Sequence, residues 1–207
     1  MAKVVLLTLF VNITSSIIAM IIGVCFGYKL YYCNLKMKKY IIVFNRTMMS
    51  LPPVVLGLTV YILFRRNGVF APLQWLYTVK ILIVTQVLLI IPIITGHFYD
   101  MLENSGDDVM FYLKALGANK KQQFVNMLFE EKNNVIIIFT IGFSRAVSEV
   151  GAIMITGGNI RGKTRMMTTS ISMLQSQGEI EMAMVYGAVL LIIAFIIQFV
   201  LQYFKES

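Results

Sequence analysis

Ser144-Arg-Ala-Val-Ser-Glu-Val-Gly-Ala-Ile-Met-Ile-Thr-Gly-Gly-Asn-Ile-Arg-Gly-Lys-Thr-Arg-Met-Met-Thr-Thr169 is the stretch that decides the fold of this chain. It sets two opposite charges, Arg145 and Glu149, inside an apolar run that begins at Val135. An ionisable pair at membrane depth is costly and faces a bundle interior or a water-filled path. Four residues apart on one helical span, the two side chains share a face and can pair. Two roles remain open: a buried salt bridge that locks the helix against its neighbours, or contact with a substrate. A combination also works, in which the pair keeps a pore near neutral so that a dianion enters without binding too tightly to leave. Ser148, Gly151 and Ala152 beside the pair offer a hydroxyl and close backbone approach.

Composition agrees with a membrane setting. The 207 residues are 58% hydrophobic and the mean hydropathy is +0.78, above the ~45–50% apolar share of soluble domains. A helix needs about 20 apolar residues to cross the hydrocarbon core. Five runs qualify: Val4–Phe26, Tyr40–Phe64, Val79–Tyr99, Val135–Thr156 and Met182–Tyr203. The fold class is therefore all-α, a polytopic transmembrane helix bundle with five predicted spans, read as a single transmembrane domain over 1–207. The first run is too long for a secretory signal core and is read as a retained span.

Basic residues suggest the orientation. Lys29, Lys36, Lys38 and Lys39 follow the first span, and Lys114, Lys120, Lys121 and Lys132 fall in the 100–134 segment. The positive-inside rule places both segments in the cytoplasm and the N-terminus outside. The net charge of +8 is explained as well by such lysines as by an anionic substrate. Cys25 and Cys33 then face the reducing side, and no spacing suggests a metal site. His97 is read as an interfacial or packed histidine.

Asn12, Thr14, Ser15 and Ser16 in the first span mark helix contact. The second span is interrupted at Pro52 and Pro53, where the helix must kink or break. The half-helix restarting there should present free N–H groups at Val54 and Val55, either facing an anion or satisfied by a neighbouring helix. Pro92 and Gly96 predict a kink in the third span. Trp75 and Tyr77 belong to an interfacial belt in the 65–78 loop. Between Asp100 and Asn134, apolar positions at helical spacing predict two short amphipathic helices broken by Gly117. Such a loop is a handle for a soluble partner or lies on the bilayer.

Leu51-Pro-Pro-Val-Val-Leu-Gly-Leu58, Leu116-Gly-Ala118 and the block Arg145–Thr169 together resemble the membrane subunits of ATP-binding-cassette importers for oxyanions, and within them the tungstate-type permeases. The resemblance covers nearly the whole chain. It implies the type I importer permease fold, like that of molybdate permeases, and a homodimer with its pore on the two-fold axis. It also implies two cytoplasmic ATP-binding subunits docked on the 100–134 loops, and an extracytoplasmic oxyanion-binding protein. ATP would bind the partner subunit, with no cofactor, metal or catalytic residue on this chain. The lipid bilayer is its other partner, and nucleic acid is not expected.

Under this resemblance Phe111, Tyr112, Leu113, Ala115, Leu116, Gly117 and Ala118 correspond to the ATPase-coupling loop. The family's Glu-Ala-Ala triplet is replaced here by Phe111-Tyr112-Leu113, which bind a groove by apolar burial instead. Related permeases carry one more helix ahead of the segment matching Val4, so the start lies upstream or this version lacks that helix. The residues read as a substrate pathway are Pro52, Pro53, Arg145, Ser148, Glu149 and Gly151. Gly157, Gly158, Asn159, Arg161, Lys163 and Arg165 form an external loop. Its cations meet the binding protein or draw anions to the pore mouth, or the loop is only a Gly-rich turn joining spans four and five.

Gly157-Gly-Asn-Ile-Arg-Gly-Lys-Thr164 also satisfies the phosphate-binding pattern G-x-x-x-x-G-K-[ST]. That loop works between a strand and a helix N-terminus, whereas here a membrane helix precedes it. A molybdate or sulfate permease of the same fold, a membrane-embedded enzyme and a scaffold are the rivals. The enzyme lacks a recognisable catalytic pattern, and a scaffold has no need of the charged pair together with a docking loop.

Overall fold

A computed structural model describes residues 1–33, 36–106, 112–113 and 115–206. Among them every regular element is helical. In order these are α1 (Ala2–Tyr31), α2 (Lys38–Met49), α3 (Pro53–Phe64), α4 (Val79–Met101), α5 (Lys120–Glu130), α6 (Lys132–Val147), α7 (Gly151–Gly157), α8 (Met167–Ser176) and α9 (Ile180–Glu206). A short 3-10 turn at Ala71–Leu73 precedes α4 and a π turn at Leu102–Gly106 follows it.

Helices α1, α4 and α9 are each long and apolar enough to cross a membrane. The other two candidate spans are bent helix pairs. Helices α2 and α3 meet at 100° and α6 and α7 at 59°, so five spans result when each bent pair counts as one. The first break was legible: Pro52 holds an extended backbone at φ −59° and ψ 127°, and Pro53 starts α3. The second corrects the expectation of a continuous helix over Val135–Thr156, because α6 ends at Val147 and α7 begins at Gly151. No proline enforces it. The segment after Gly157 is more than a turn, since α8 inserts with Met167, Thr168, Thr169 and Ser170 buried. The expected kink at Pro92 does not end α4, which continues helical through that residue.

The α1–α4 pair is the spine. Ser15, Ala19, Gly23 and Gly27 recur every fourth residue on the buried face of α1, while Leu82, Gln86, Ile90, Ile94 and Phe98 do so on α4. Positions four apart lie on one helical ridge. The fit is close: a Cβ at Gly23 would sit 2.7 Å from Ile94 Cγ2, and one at Gly27 2.9 Å from Phe98 Cδ1.

Two apolar clusters divide the interior. One gathers Ala19, Ile90, Ile94, Phe98 and Met127 at the end carrying α5. The other gathers Val11, Val60, Ile81, Leu82, Ile153 and Met166 toward the N-terminus. Among the buried polar side chains, Gln86 donates to Asn12 and to the Ala146 carbonyl beside the α6–α7 break, and Thr85 donates to Thr156 on α7. At the far end the amphipathic segment is seen in part. Asn119 and Gln122 close a capping box on α5, Met127 is fully buried, and the Phe124 ring meets that of Tyr28 edge-on at 4.6 Å. Gly117, with φ +74°, separates α5 from the helical residues Tyr112, Leu113 and Ala115. Phe111 lies outside the described residues.

Large apolar side chains point outward along α1 (Leu6, Phe10, Ile13, Ile17, Ile21) and α9 (Leu191, Phe195, Phe199). In water such a surface would drive association, but in a bilayer the surrounding acyl chains are equally apolar. The chain is a multi-pass membrane protein.

Candidate functional site

The two broken spans meet at their breaks. A Cβ on Gly151, the first residue of α7, would lie 2.8 Å from Val54 Cγ2 near the start of α3. A Cβ on Gly57 would lie 2.6 Å from the Ala152 Cα. Glycines at these positions bring the two half-helices together with their N-termini adjacent. Unsatisfied N–H groups make a helix N-terminus electropositive.

Each terminus is treated differently. On α7, the Ala152 N–H donates to Glu149 Oε1 at 2.8 Å. On α3, Pro53 has no N–H and the Val55 N–H donates to the Pro52 carbonyl at 3.0 Å. Val55 is therefore not free, contrary to the sequence expectation. Val54 keeps an N–H that donates to no group among the described residues. Pro52 is exposed and Pro53 half-buried.

Arg145 Nη1 lies 3.2 Å from Glu149 Oε2, with side-chain exposures of 29% and 4%. The pair forms across the break and not along one unbroken helix: Arg145 sits in the last turn of α6, while Glu149 lies between helices. Glu149 thus serves the arginine with one oxygen and the α7 backbone with the other. Ser148 is exposed, and its Oγ donates to the Arg145 carbonyl at 3.1 Å, covering one of the carbonyls freed where α6 stops. Gln198 of α9 donates to Ser144 Oγ at 2.5 Å one turn earlier.

Sequence reasoning missed the side chains that close this break from outside. Gln86 is fully buried. Its Nε2 donates to Asn12 Oδ1 at 2.8 Å and to the Ala146 carbonyl at 3.2 Å. Its Oε1 accepts from Ser15 Oγ at 2.5 Å. From α8, Thr168 Oγ1 donates to the Glu149 carbonyl at 3.0 Å, and the neighbouring Met167 N–H donates to Thr8 Oγ1 at 2.9 Å. The available signal was an amide in the midst of the Ile81–Ile91 apolar run, which calls for a partner as surely as a charge does.

The residues expected in an external loop, Gly157 to Arg165, are held by hydrogen bonds among themselves. Gly157 ends α7 and Gly158 follows in the left-handed region at φ +67°. Thr164 Oγ1 donates to the Gly157 carbonyl at 2.5 Å and accepts from the Ile160 N–H at 3.0 Å. The Arg165 guanidinium donates to the Asn159 carbonyl. The hydroxyl that a phosphate loop would offer a metal is engaged within this turn, and the preceding element is α7. Arg161 and Lys163 are exposed. In the amphipathic loop Leu116 is 82% exposed and Tyr112 69%, Ala115 is exposed, and Leu113 packs on the core cluster at that end. The Ala118 N–H donates to the Leu113 carbonyl at 3.0 Å.

The sequence profile of the binding-protein-dependent transport system inner membrane component family matches residues 15–206. The chain belongs to that family. The match runs from Ser15 on α1 to the end of α9, so both breaks, the Arg145–Glu149 pair and Gln86 lie within the family region, while Thr8 and Asn12 precede it. Among similar proteins is the tungstate uptake system permease protein TupB of Peptoclostridium acidaminophilum, 38% identical over 204 residues, covering 99% of this chain and 90% of the relative. TupB of Campylobacter jejuni is 31% identical over 176 residues, covering 85% and 74%. A sulfate transport system permease of Escherichia coli is 26% identical over 159 residues, covering 72% and 57%.

Proposed function

We propose that this inner membrane component is the permease subunit of an ATP-binding-cassette importer whose cargo is an oxyanion, tungstate first. The observation that carries the cargo is the near full-length similarity to permeases named for tungstate uptake. The site chemistry fits a dianion. Two half-helix N-termini adjoin at the breaks, and the Val54 N–H is available as a donor. Arg145 retains partial exposure while Glu149 offsets its charge. An uncompensated cation would hold a dianion too firmly for passage; a compensated one lowers the barrier and lets it leave.

The subunit performs no chemistry on its cargo. It works as a homodimer around a shared path, and ATP binds and is hydrolysed on two copies of a cytoplasmic partner. That partner grips the exposed apolar side chains of Tyr112 and Leu116. An extracytoplasmic binding protein delivers the oxyanion and supplies most of the selectivity. Closure of the ATPases moves the gripped loop, and the broken spans are the places where the bundle can bend.

The test is deletion of the gene followed by measurement of tungsten, molybdenum and sulfur uptake at limiting external oxyanion. Loss of tungsten uptake alone, restored by the intact gene, is the expected result. Loss confined to molybdenum or sulfur would transfer the reading to that cargo. Unchanged uptake of all three, with redundant importers removed, would overturn it.

A further inference from the structure

We propose that Gln86 is a positioning residue for translocation, the clamp that sets the α6–α7 break to which Arg145 and Glu149 belong; the inference rests on the import reading above. Where α6 stops, carbonyls lose their helical partners. Local groups serve several of them: the Ser148 N–H takes the Ser144 carbonyl at 3.2 Å and the Glu149 N–H takes that of Ala146 at 3.3 Å. Two donors come from outside the span, Gln86 on α4 and Thr168 on α8.

Gln86 differs from Thr168 in being fully committed. Both N–H groups of its amide are engaged, by Asn12 Oδ1 and the Ala146 carbonyl, and its Oε1 meets the Ser15 hydroxyl, whose one proton also faces the Val11 carbonyl at 2.6 Å. It has 0% exposure and its α1 partners 1% and 0%, so water cannot replace a lost bond. The amide therefore ties the break rigidly to the α1–α4 spine. The second tie also returns to α1, where Thr8 accepts from the Met167 N–H beside Thr168. Thr8 and Ser15 are seven residues apart, about two helical turns or ~10 Å. A break held at two levels of one helix has a defined angle, and changing that angle requires releasing or carrying one of the two ties. The Gln86 tie acts at the α6 side of the break, on the turn that holds Arg145.

Gln86→Met keeps length and approximate volume and removes every amide bond. In vesicles holding the importer with its ATPase and binding protein, turnover per folded permease should fall about tenfold, the equivalent of one buried hydrogen bond with its desolvated partner. The external oxyanion concentration giving half-maximal rate should stay unchanged, and more ATP should be hydrolysed per ion imported. Hydrogen exchange across residues 148–157 should quicken in the purified protein, a readout independent of transport. Asn12→Leu should add little to Gln86→Met, because the two residues act through one network.

Reduced yield of folded protein with normal turnover and normal ATP-to-ion ratio per molecule would assign Gln86 to folding alone and overturn the inference. So would unchanged exchange over 148–157. Absence of oxyanion uptake by the wild-type protein would instead overturn the import reading, while the exchange measurement still judges the clamp.

Discussion

Arg145 and Glu149 differ in how much each depends on the other. The Glu149 side chain is 4% exposed and that of Arg145 29%, so removing the arginine strands a buried carboxylate whose remaining partner is the Ala152 N–H. Removing one partner of a fully buried pair costs about 3–5 kcal/mol. Arg145→Ala should fall near the low end, about 3 kcal/mol, because partial exposure already screens the pair. Glu149→Gln should cost less, since an amide oxygen still accepts from Ala152 and the arginine can reach water. The double variant Arg145→Met/Glu149→Gln contains no buried charge and should recover most of the stability while uptake stays low. Thermal unfolding in detergent, run beside uptake, checks the order. Recovery of both together would leave the pair a purely structural lock. The charged pair was legible in sequence because charge is rare in an apolar run. Gln86 was passed over because an amide there does not stand out until its partners, Asn12, Ser15 and the Ala146 carbonyl, are brought together by folding.

At the scale of elements, the contact between α3 and α7 rests on glycine. Gly57→Ala would place a methyl group 2.6 Å from the Ala152 Cα, and backbone on both sides leaves no flexible group to yield. Overpacking of this kind costs roughly 1–3 kcal/mol, and separation of the two half-helices should lower uptake as well. Gly187→Ala on α9 is the control: nothing lies within 4 Å of its Cβ position, and exchange of glycine for alanine inside a helix should stabilise by up to ~1 kcal/mol. Equal effects of the two changes would refute the close-contact account. The amphipathic loop gives a further prediction. Leu116 is 82% exposed, so Leu116→Asp should leave the melting temperature within about 1 °C, as expected for a surface change of small free energy. Co-purification of the ATPase should be lost. Retained ATPase would place the docking contact elsewhere.

These elements were unevenly legible. The α2–α3 break was written in Pro52-Pro53, two consecutive residues that cannot donate and whose rings crowd the carbonyls one turn back, whereas the lone Pro92 is carried within α4. The α6–α7 break has no such mark; its cost is offset by Ser148 and Glu149 locally and by Gln86 and Thr168 from distant helices. Helix α8 was hidden for a related reason. Its buried residues mix Met167 and Leu174 with Thr168, Thr169 and Ser170; Thr169 and Ser170 donate locally to the Met166 carbonyl, and Thr168 finds its acceptor, the Glu149 carbonyl, only in the fold. Hydrophobic periodicity is a weak signal for a helix whose buried residues are three hydroxyls and two apolar side chains.

For the whole molecule the open physical question is which end faces the cytoplasm, and the arrangement makes it a single choice. The Tyr77 N–H donates to the Thr156 carbonyl at 3.2 Å, joining the 65–78 loop to the end of α7. Tyr28 donates to the Lys120 carbonyl at 3.3 Å, joining the end of α1 to α5 at the opposite end. The 65–78 loop with the end of α7 and the end of α1 with α5 therefore mark the two ends of the α1–α4 spine, and one label at each fixes the orientation. Lys29, Lys36, Lys38, Lys39, Lys120, Lys121 and Lys132 gather with α5, which the positive-inside rule assigns to the cytoplasm. In a background carrying Cys25→Ser and Cys33→Ser, Lys163→Cys should react in intact cells with a membrane-impermeant maleimide. Lys121→Cys should react only after the membrane is opened. Both sites are exposed, so access to the reagent and not burial governs the rate. The reverse pattern would invert the molecule, put Tyr112 and Leu116 outside the cell, and remove them from any cytoplasmic ATPase.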